Sequence, residues 1–262
     1  MKLPFILFLF LFISPLKAQE KVLTVASDVW CPYICSDQKS PGFLVELLKE
    51  IALKNGLTLK FLHIPLARAL KLANVNKIDV VLALSSDHFI NRNLQQSKQY
   101  FGVMFNDFYV NANDTWRYKN VKDLDYYLKQ KKLVGIIYGY EYGEVLATKL
   151  EKNKSNVYKA SGDSPLAKLM RMVHLKRLGV LLDSRYTIQY ELKQTQDYEI
   201  TYAGTEGNAI PLYLGFSSSV DKNIIGLFDH GLVKMRKSGK LTEILAKYGA
   251  KDWDKELVTH IQ

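Results

Sequence analysis

One pattern constrains the fold of this chain more than any other. Short apolar runs rich in β-branched residues alternate with helix-length amphipathic segments, and the alternation occurs twice. Residues 22–26, 57–63 and 78–84 read as strands. Between the first two, Leu44, Leu47, Leu48 and Ile51 recur at helical spacing, and Asn55-Gly56 supplies a stop. Pro65 opens a second helix with Leu66, Ala69, Leu70 and Ala73 on one face. The third strand is apolar throughout, as suits a strand covered on both faces of a parallel sheet. The order restarts with a strand at 133–137 and a helix at 141–152. Ser164-Pro165 reads as a cap and first turn ahead of Leu166, Leu169, Met170 and Val173, and 180–182 as a further strand. Two such units predict two α/β lobes. Extended segments near 105–111 and 210–216 join them. Two closing helices return to the first lobe, one lined by Ile224, Ile225, Phe228, Leu232 and Met235, the other by Leu241, Ile244, Leu245 and Tyr248, with Gly239 between them and Gly249 as the stop. The expected organisation is 1–18 as a leader, 19–108 as the first part of lobe 1, 109–211 as lobe 2 and 212–262 as the return to lobe 1.

The leader is read from charge and hydropathy. Met1-Lys2 is followed by an unbroken apolar run over 5–13, a break at Ser14-Pro15 and a small residue at Ala18. That is the order of a secretory signal peptide cleaved after Ala18, and the run is shorter than the roughly 20 residues a membrane span needs. No cysteine stands at the cleavage point to take a lipid, so the expected home is the periplasm. The formal charge is +10, two units of it from Lys2 and Lys17. The remaining lysines are scattered and accompany no nucleic-acid motif, which leaves a lysine-rich solvated surface able to draw in anionic solutes. Cys31 and Cys35 flank Pro-Tyr-Ile. In an oxidising compartment such a pair tends to be bonded, and its spacing is not that of a redox pair. His63, His88, His174, His230 and His260 form no spaced metal pair. Neither a phosphate-binding glycine loop nor a nucleophile elbow is present, so no cofactor or metal is expected.

The segment Pro41-Gly42-Phe43-Leu44-Val45-Glu46-Leu47-Leu48-Lys49-Glu50-Ile51-Ala52 resembles the first helix of the amino-acid-type (family 3) periplasmic solute-binding proteins of ABC transporters. Ile78-Asp79-Val80-Val81 is similar to their third strand and Tyr213-Leu214-Gly215-Phe216-Ser217 to their returning crossover. The stretch from Gly231-Leu232 through Arg236-Lys237-Ser238-Gly239-Lys240-Leu241 to Lys247-Tyr248-Gly249 is similar to their closing helices. The resemblance runs in order over nearly the whole chain. It implies a type II periplasmic-binding-protein fold, two lobes of mostly parallel sheet flanked by helices and joined by two crossover strands, with the ligand in the cleft between them. Two departures stand out. Asn76 replaces the family's usual glycine, and Asn93 to Gln99 is shorter and more polar than the family's run after Arg92.

Ligands of open α/β sheets bind beyond the carboxyl ends of the strands, which directs attention to residues in those positions. Arg92 resembles the family arginine that clamps a ligand carboxylate, a task its planar fork suits. Ser85 and Ser86 follow the buried third strand and either complete that site or cap the loop. Asp183 resembles the acid that receives an amino group, and it is equally placed to cap the next helix. Arg68, in the first turn of a helix opening at the cleft, is a candidate for a second acidic group or a surface ion pair. Trp30, Tyr33, Tyr138 and Tyr140 are candidate aromatic walls, and Asp28 stands at the mouth of the first strand.

These readings predict a binding protein without catalysis, a monomer that delivers an amino acid or related carboxylate to a membrane permease. A sensory protein presenting its ligand to a receptor is the nearest alternative. A periplasmic dehydratase-like enzyme is the alternative of a different kind. It requires a general acid, for which Glu141 or Glu206 are the candidates.

Overall fold

The computed structural model describes residues 21–162, 164–195 and 198–254. The expected leader and His260 lie outside the described residues. Among the described residues, nine strands and eight α-helices form two α/β lobes that share one long strand.

Lobe 1 begins with β1 (Lys21–Ser27), α1 (Phe43–Lys54), β2 (Leu57–His63), α2 (Leu66–Asn74) and β3 (Val80–Leu84). β1 pairs in parallel with β2 on one side and β3 on the other. A 3-10 turn (Ser86–Phe89) and the short β4 (Leu94–Gln96) lead into β5 (Gly102–Asn111), which enters lobe 2. There follow α3 (Val121–Lys129), β6 (Val134–Ile137), α4 (Gly143–Lys152), β7 (Val157–Ala160), α5 (Pro165–His174), β8 (Val180–Asp183) and α6 (Arg185–Gln194). The chain returns through β9 (Ile200–Ser217) and closes on lobe 1 with α7 (Lys222–Lys237) and α8 (Lys240–Lys247). The strand order is β2-β1-β3-β9-β5-β8-β6-β7, with β4 on the end of β9.

β9 is the structural link. Its first part runs antiparallel to β5 and its last part antiparallel to β3 and β4. The two crossings therefore lie side by side where Gly102–Met104 pairs with 210–212. The first crossing comes a few residues earlier than the sequence suggests. All ten residues of β5 are buried, Asn106 and Asp107 included, so burial is continuous where the strand leaves lobe 1.

Each lobe is covered on both sheet faces, which is why its central strands are apolar in every direction. In lobe 1, one face packs α1, α7 and α8 around Leu44, Leu47, Phe228 and Leu241, and the other packs α2 through Ala69, Leu70 and Ala73. In lobe 2, α3 and α4 cover one face through Leu124, Tyr127 and Leu146, and α5 the other through Leu169, Met170 and Val173.

Three local expectations are refined. Pro65 stands just before the first residue of α2 rather than within its first turn. Ser164 adopts a left-handed conformation and makes no side-chain cap, leaving Pro165 to start α5. Asn76 has φ +57°, the left-handed backbone that a glycine would otherwise supply and that asparagine tolerates.

Candidate functional site

The carboxyl ends of β1, β3, β6 and β8 face one another across the gap between the lobes. The loop after β1 contributes most. A disulfide joins Cys31 to Cys35, and Trp30 and Ile34 exchange backbone hydrogen bonds at 2.7 and 2.9 Å. The loop lies directly on Gly42, where a Cβ would come within 2.4 Å of the Tyr33 carbonyl oxygen, so only glycine fits there. This small ring presents Trp30 and Tyr33, stacked with centroids 4.1 Å apart.

Both aromatics reach lobe 2. The Tyr33 hydroxyl donates to the Val103 carbonyl at 2.6 Å and lies 3.2 Å from Ser184 Oγ. Trp30 Nε1 donates to Asp183 Oδ1 at 3.5 Å. Asp183 is 2% exposed. Its Oδ1 also accepts from the Ser184 amide at 2.7 Å and the Thr187 hydroxyl at 2.8 Å, whereas Oδ2 has no hydrogen-bond partner among the described residues. Burial lifts the Asp183 carboxyl to about 6, against the pull of Thr187, Ser184 and Trp30, with Asp107 adding a small push upward. Ser184, not Asp183, is the N-cap of α6. Asp183 Oδ1 holds the start of the helix from one residue earlier, through the Ser184 amide and the Thr187 hydroxyl, and Oδ2 has no partner among the described residues.

Tyr140, on the loop after β6, fills the middle of the gap. Beside it lies a cavity of about 30 Å³ bordered by Asp28, Trp30, His88, Met104, Tyr140 and Glu141. Two wider mouths open on either side. One, of about 390 Å³, carries Asp28, His63 and Glu191 and no lysine or arginine. The other, of about 670 Å³, carries Lys71, Arg92 and Lys159 with Glu141 as its one acid. Burial raises Asp28, whose partial relief comes from the Val29 and Leu66 amides and from His63. Burial also raises Glu141, which is pushed further by Asp87 and pulled back by Arg92.

The predicted residues therefore separate. Asp28, Trp30 and Tyr140 border the central cavity, and Arg92 and Tyr138 border the basic mouth. Arg92 Nη1 donates to the His88 carbonyl at 2.8 Å. Tyr33 and Asp183 lie buried behind Trp30. Ser85 is occupied by the fold: both its amide, at 3.1 Å, and its hydroxyl, at 2.9 Å, engage His88 Nδ1. Ser86 and Arg68 are exposed and border none of these three spaces. Glu206, the other candidate acid, takes a hydrogen bond from Tyr118 within lobe 2.

His88 is the residue the sequence reading passed over. It is 4% exposed, its Nε2 has no hydrogen-bond partner among the described residues, and burial with the nearby Arg92 lowers it to about 4. It is a neutral imidazole at physiological pH, so it adds no positive charge to the cavity. Among the described residues no cluster of side chains is arranged to hold a metal ion, and no helix is long and apolar enough to cross a membrane.

Two lobes sharing paired crossover strands, with charged and aromatic side chains facing across the gap, define a two-lobed solute-binding protein. Residues 23–251 match the family of bacterial extracellular solute-binding proteins, family 3, and the chain belongs to that family. No curated protein matches it. Among solved structures it is similar to an ancestral arginine-binding protein bound to arginine, at 18% identity and TM-score 0.72, covering 87% of this chain and 97% of that one. It is similar to a putative L-cystine ABC transporter protein from Listeria monocytogenes, at 16% identity and TM-score 0.70, with 87% and 95% covered. A histidine kinase sensor domain matches equally well, at 15% identity and TM-score 0.70, with 87% and 96% covered.

Proposed function

We propose that this protein captures a small polar solute bearing an amino group and a carboxylate, an amino acid or a close relative, and delivers it unchanged to the permease of an ABC transporter. The observation that carries the reading is Asp183, a buried carboxylate at the lobe interface with one oxygen fully used and the other unpartnered. A desolvated carboxylate is costly without a partner, and an ammonium group brought in by a ligand relieves that cost. The opposite charges of the two mouths support the same reading. A zwitterion lies across the cleft with its cationic end toward Asp28 and Asp183 and its carboxylate toward Arg92. Similar solved structures hold arginine and glutamine. Export through the leader, to the periplasm, belongs to this proposal. So do the roles of Asp28, Trp30 and Tyr138 as cleft walls and the action of the chain as a monomer.

The likeness to a sensor domain favours one second reading, in which the closed lobes signal to a receptor rather than a permease. Both readings share the first step. A thermal-shift screen with the protein amino acids, amines and organic acids tests it, since a solute that binds only the folded chain raises its melting temperature. Recovery of the bound solute unchanged, by mass spectrometry, tests the absence of chemistry. A melting temperature unmoved by every amino acid contradicts the proposal.

A further inference from the structure

Tyr140 belongs to lobe 2 in the chain, yet it packs against the apolar clusters of both lobes. It borders the central cavity and both mouths, and with Ile137, which also lines both mouths, it stands between one mouth and the other. Its ring stands edge-on to Trp30 with centroids 6.0 Å apart. The space left beside it, about 30 Å³, holds a water or two and no amino acid. The loop that carries it is anchored at both ends. Gly139 takes φ +87° with its Cα facing Ala67 of lobe 1. The Tyr142 hydroxyl accepts from the Ile137 amide at 2.8 Å, and the Tyr142 carbonyl accepts from Asn106 Nδ2 at 2.8 Å. Burial first, then Asp28 of lobe 1 and Asp183 of lobe 2, push the Tyr140 phenol well above the usual tyrosine range. The geometry agrees: Asp28 borders the same cavity as Tyr140 and Trp30, and Asp183 is bonded to the Trp30 indole from behind, so a carboxylate of each lobe stands beside the Trp30–Tyr140 pair.

We propose that Tyr140 is a built-in stand-in for the solute: its ring holds the place of a planar, ring-sized group of the ligand, its hydroxyl holds the place of that group's hydrogen-bond donor, and the ligand binds by displacing it. This rests on the reading of the cleft as a solute site and narrows the solute class. Carboxylates accept hydrogen bonds and donate none, and the Trp30 face favours a flat or cationic group. The class is a solute with a planar or aromatic end tipped by a cationic donor. A binding wall and a stand-in differ in sign. Removing a wall weakens binding. Removing a competitor tightens it, because the binding-competent state is then populated without first expelling the side chain.

The test uses benzylamine, a ring tipped by an ammonium group, and its neutral counterpart benzyl alcohol, titrated by calorimetry into wild type, Tyr140→Ala and Tyr140→Phe. Tyr140→Ala is expected to bind benzylamine about tenfold or more tighter than wild type, and tighter than it binds benzyl alcohol. Tyr140→Phe keeps the ring and loses the hydroxyl, and is expected to show a smaller gain of the same sign. It also keeps the proposal testable if the alanine variant does not fold. Equal or weaker binding of benzylamine by the variants overturns the proposal, and so does a gain for both compounds without preference, which marks an ordinary packing cavity. These outcomes are separate from the fate of the solute-binding reading, which fails if no amino acid shifts the wild-type melting temperature.

Discussion

Asp107 and Asp183 sit directly opposite each other on β5 and β8, both buried, and the chain treats them in opposite ways. Asp107 is completed from within. Arg185 Nε and Nη2 grip both oxygens at 2.9 Å, the Arg185 amide adds a third bond at 2.9 Å, and Thr205 a fourth at 2.6 Å. The guanidinium also lies over Phe105, 3.8 Å from its centroid. Asp183, one strand away, keeps an oxygen that nothing in the described chain uses. The difference teaches how a binding lobe divides its buried charge. Both carboxylates hold the start of α6, but Asp107 has both oxygens bonded, whereas Asp183, buried behind Trp30 at the lobe interface, keeps one oxygen whose folding cost a ligand would repay under the proposed function.

The largest effect expected from breaking this comparison is on the Asp107 side. Arg185→Ala leaves a fully buried carboxylate without its partner, a change that typically costs about 3–5 kcal/mol. Denaturant unfolding should show a loss of that size, and a loss under about 1 kcal/mol would place the pair among ordinary surface bridges.

Asp183→Asn should act in the other direction. A carboxyl whose folded value is raised to about 6 loses stability as pH rises through the window from its unfolded value to about 6, and the penalty stays in place above it. The amide removes that penalty. Without added solute the variant is expected to be more stable than wild type at pH 7.5 by on the order of 2 kcal/mol, measured in the same unfolding experiment. A destabilised variant would mean that Asp183 serves the fold as Asp107 does.

His88 opposes Asp183 in sign. Its folded value is lowered to about 4, so its contribution is lost as pH falls below the ordinary histidine range and is present in full above it. Across roughly pH 4 to 6 the two residues contribute slopes of opposite sign, superposed on the common background of the other carboxyls that burial raises. Relative to wild type, His88→Gln should steepen the fall in stability with rising pH, and Asp183→Asn should turn the slope toward a rise. Parallel slopes in the two variants would contradict the pairing.

The smallest effect is at the basic mouth. Arg92→Lys keeps the charge and loses the fork, and should weaken carboxylate binding by about tenfold, on the order of 1.4 kcal/mol, with the melting temperature unmoved. Affinity unchanged in both Arg92→Lys and Arg92→Ala would shift the carboxylate contact to Lys71 or Lys159.

Much of the frame was legible in the sequence because it is written in local pattern. β2 occupies the residues its apolar run marks, and all five apolar positions assigned to α7 are buried. The length of β9 was not legible, since the sequence marks an extended segment only near 210–216 and residues 200–206 become strand by pairing with β5. The site was partly legible. Asp28, Trp30 and Tyr140 follow strands and border one cavity between the lobes, as strand ends in a doubly wound fold favour, while Asp183 ends β8 and lies behind Trp30. Ser85 illustrates the opposite outcome: its position also suited a ligand, but His88, three residues on, takes both its donors. The Asp107–Arg185 pair spans 78 residues and has no local signature, because strand register alone brings it together.

Under the proposed function the unpartnered Asp183 oxygen receives the ligand's amino group. Calorimetric titration of the solute identified by thermal shift, into wild type and Asp183→Asn at pH 7.5, tests it most directly. Truncating one partner of a desolvated charge pair costs about 2–5 kcal/mol, so the account predicts that the variant binds about 30-fold or more weakly while unfolding no more easily than wild type. Binding within about threefold of wild type, under 1 kcal/mol, would contradict it.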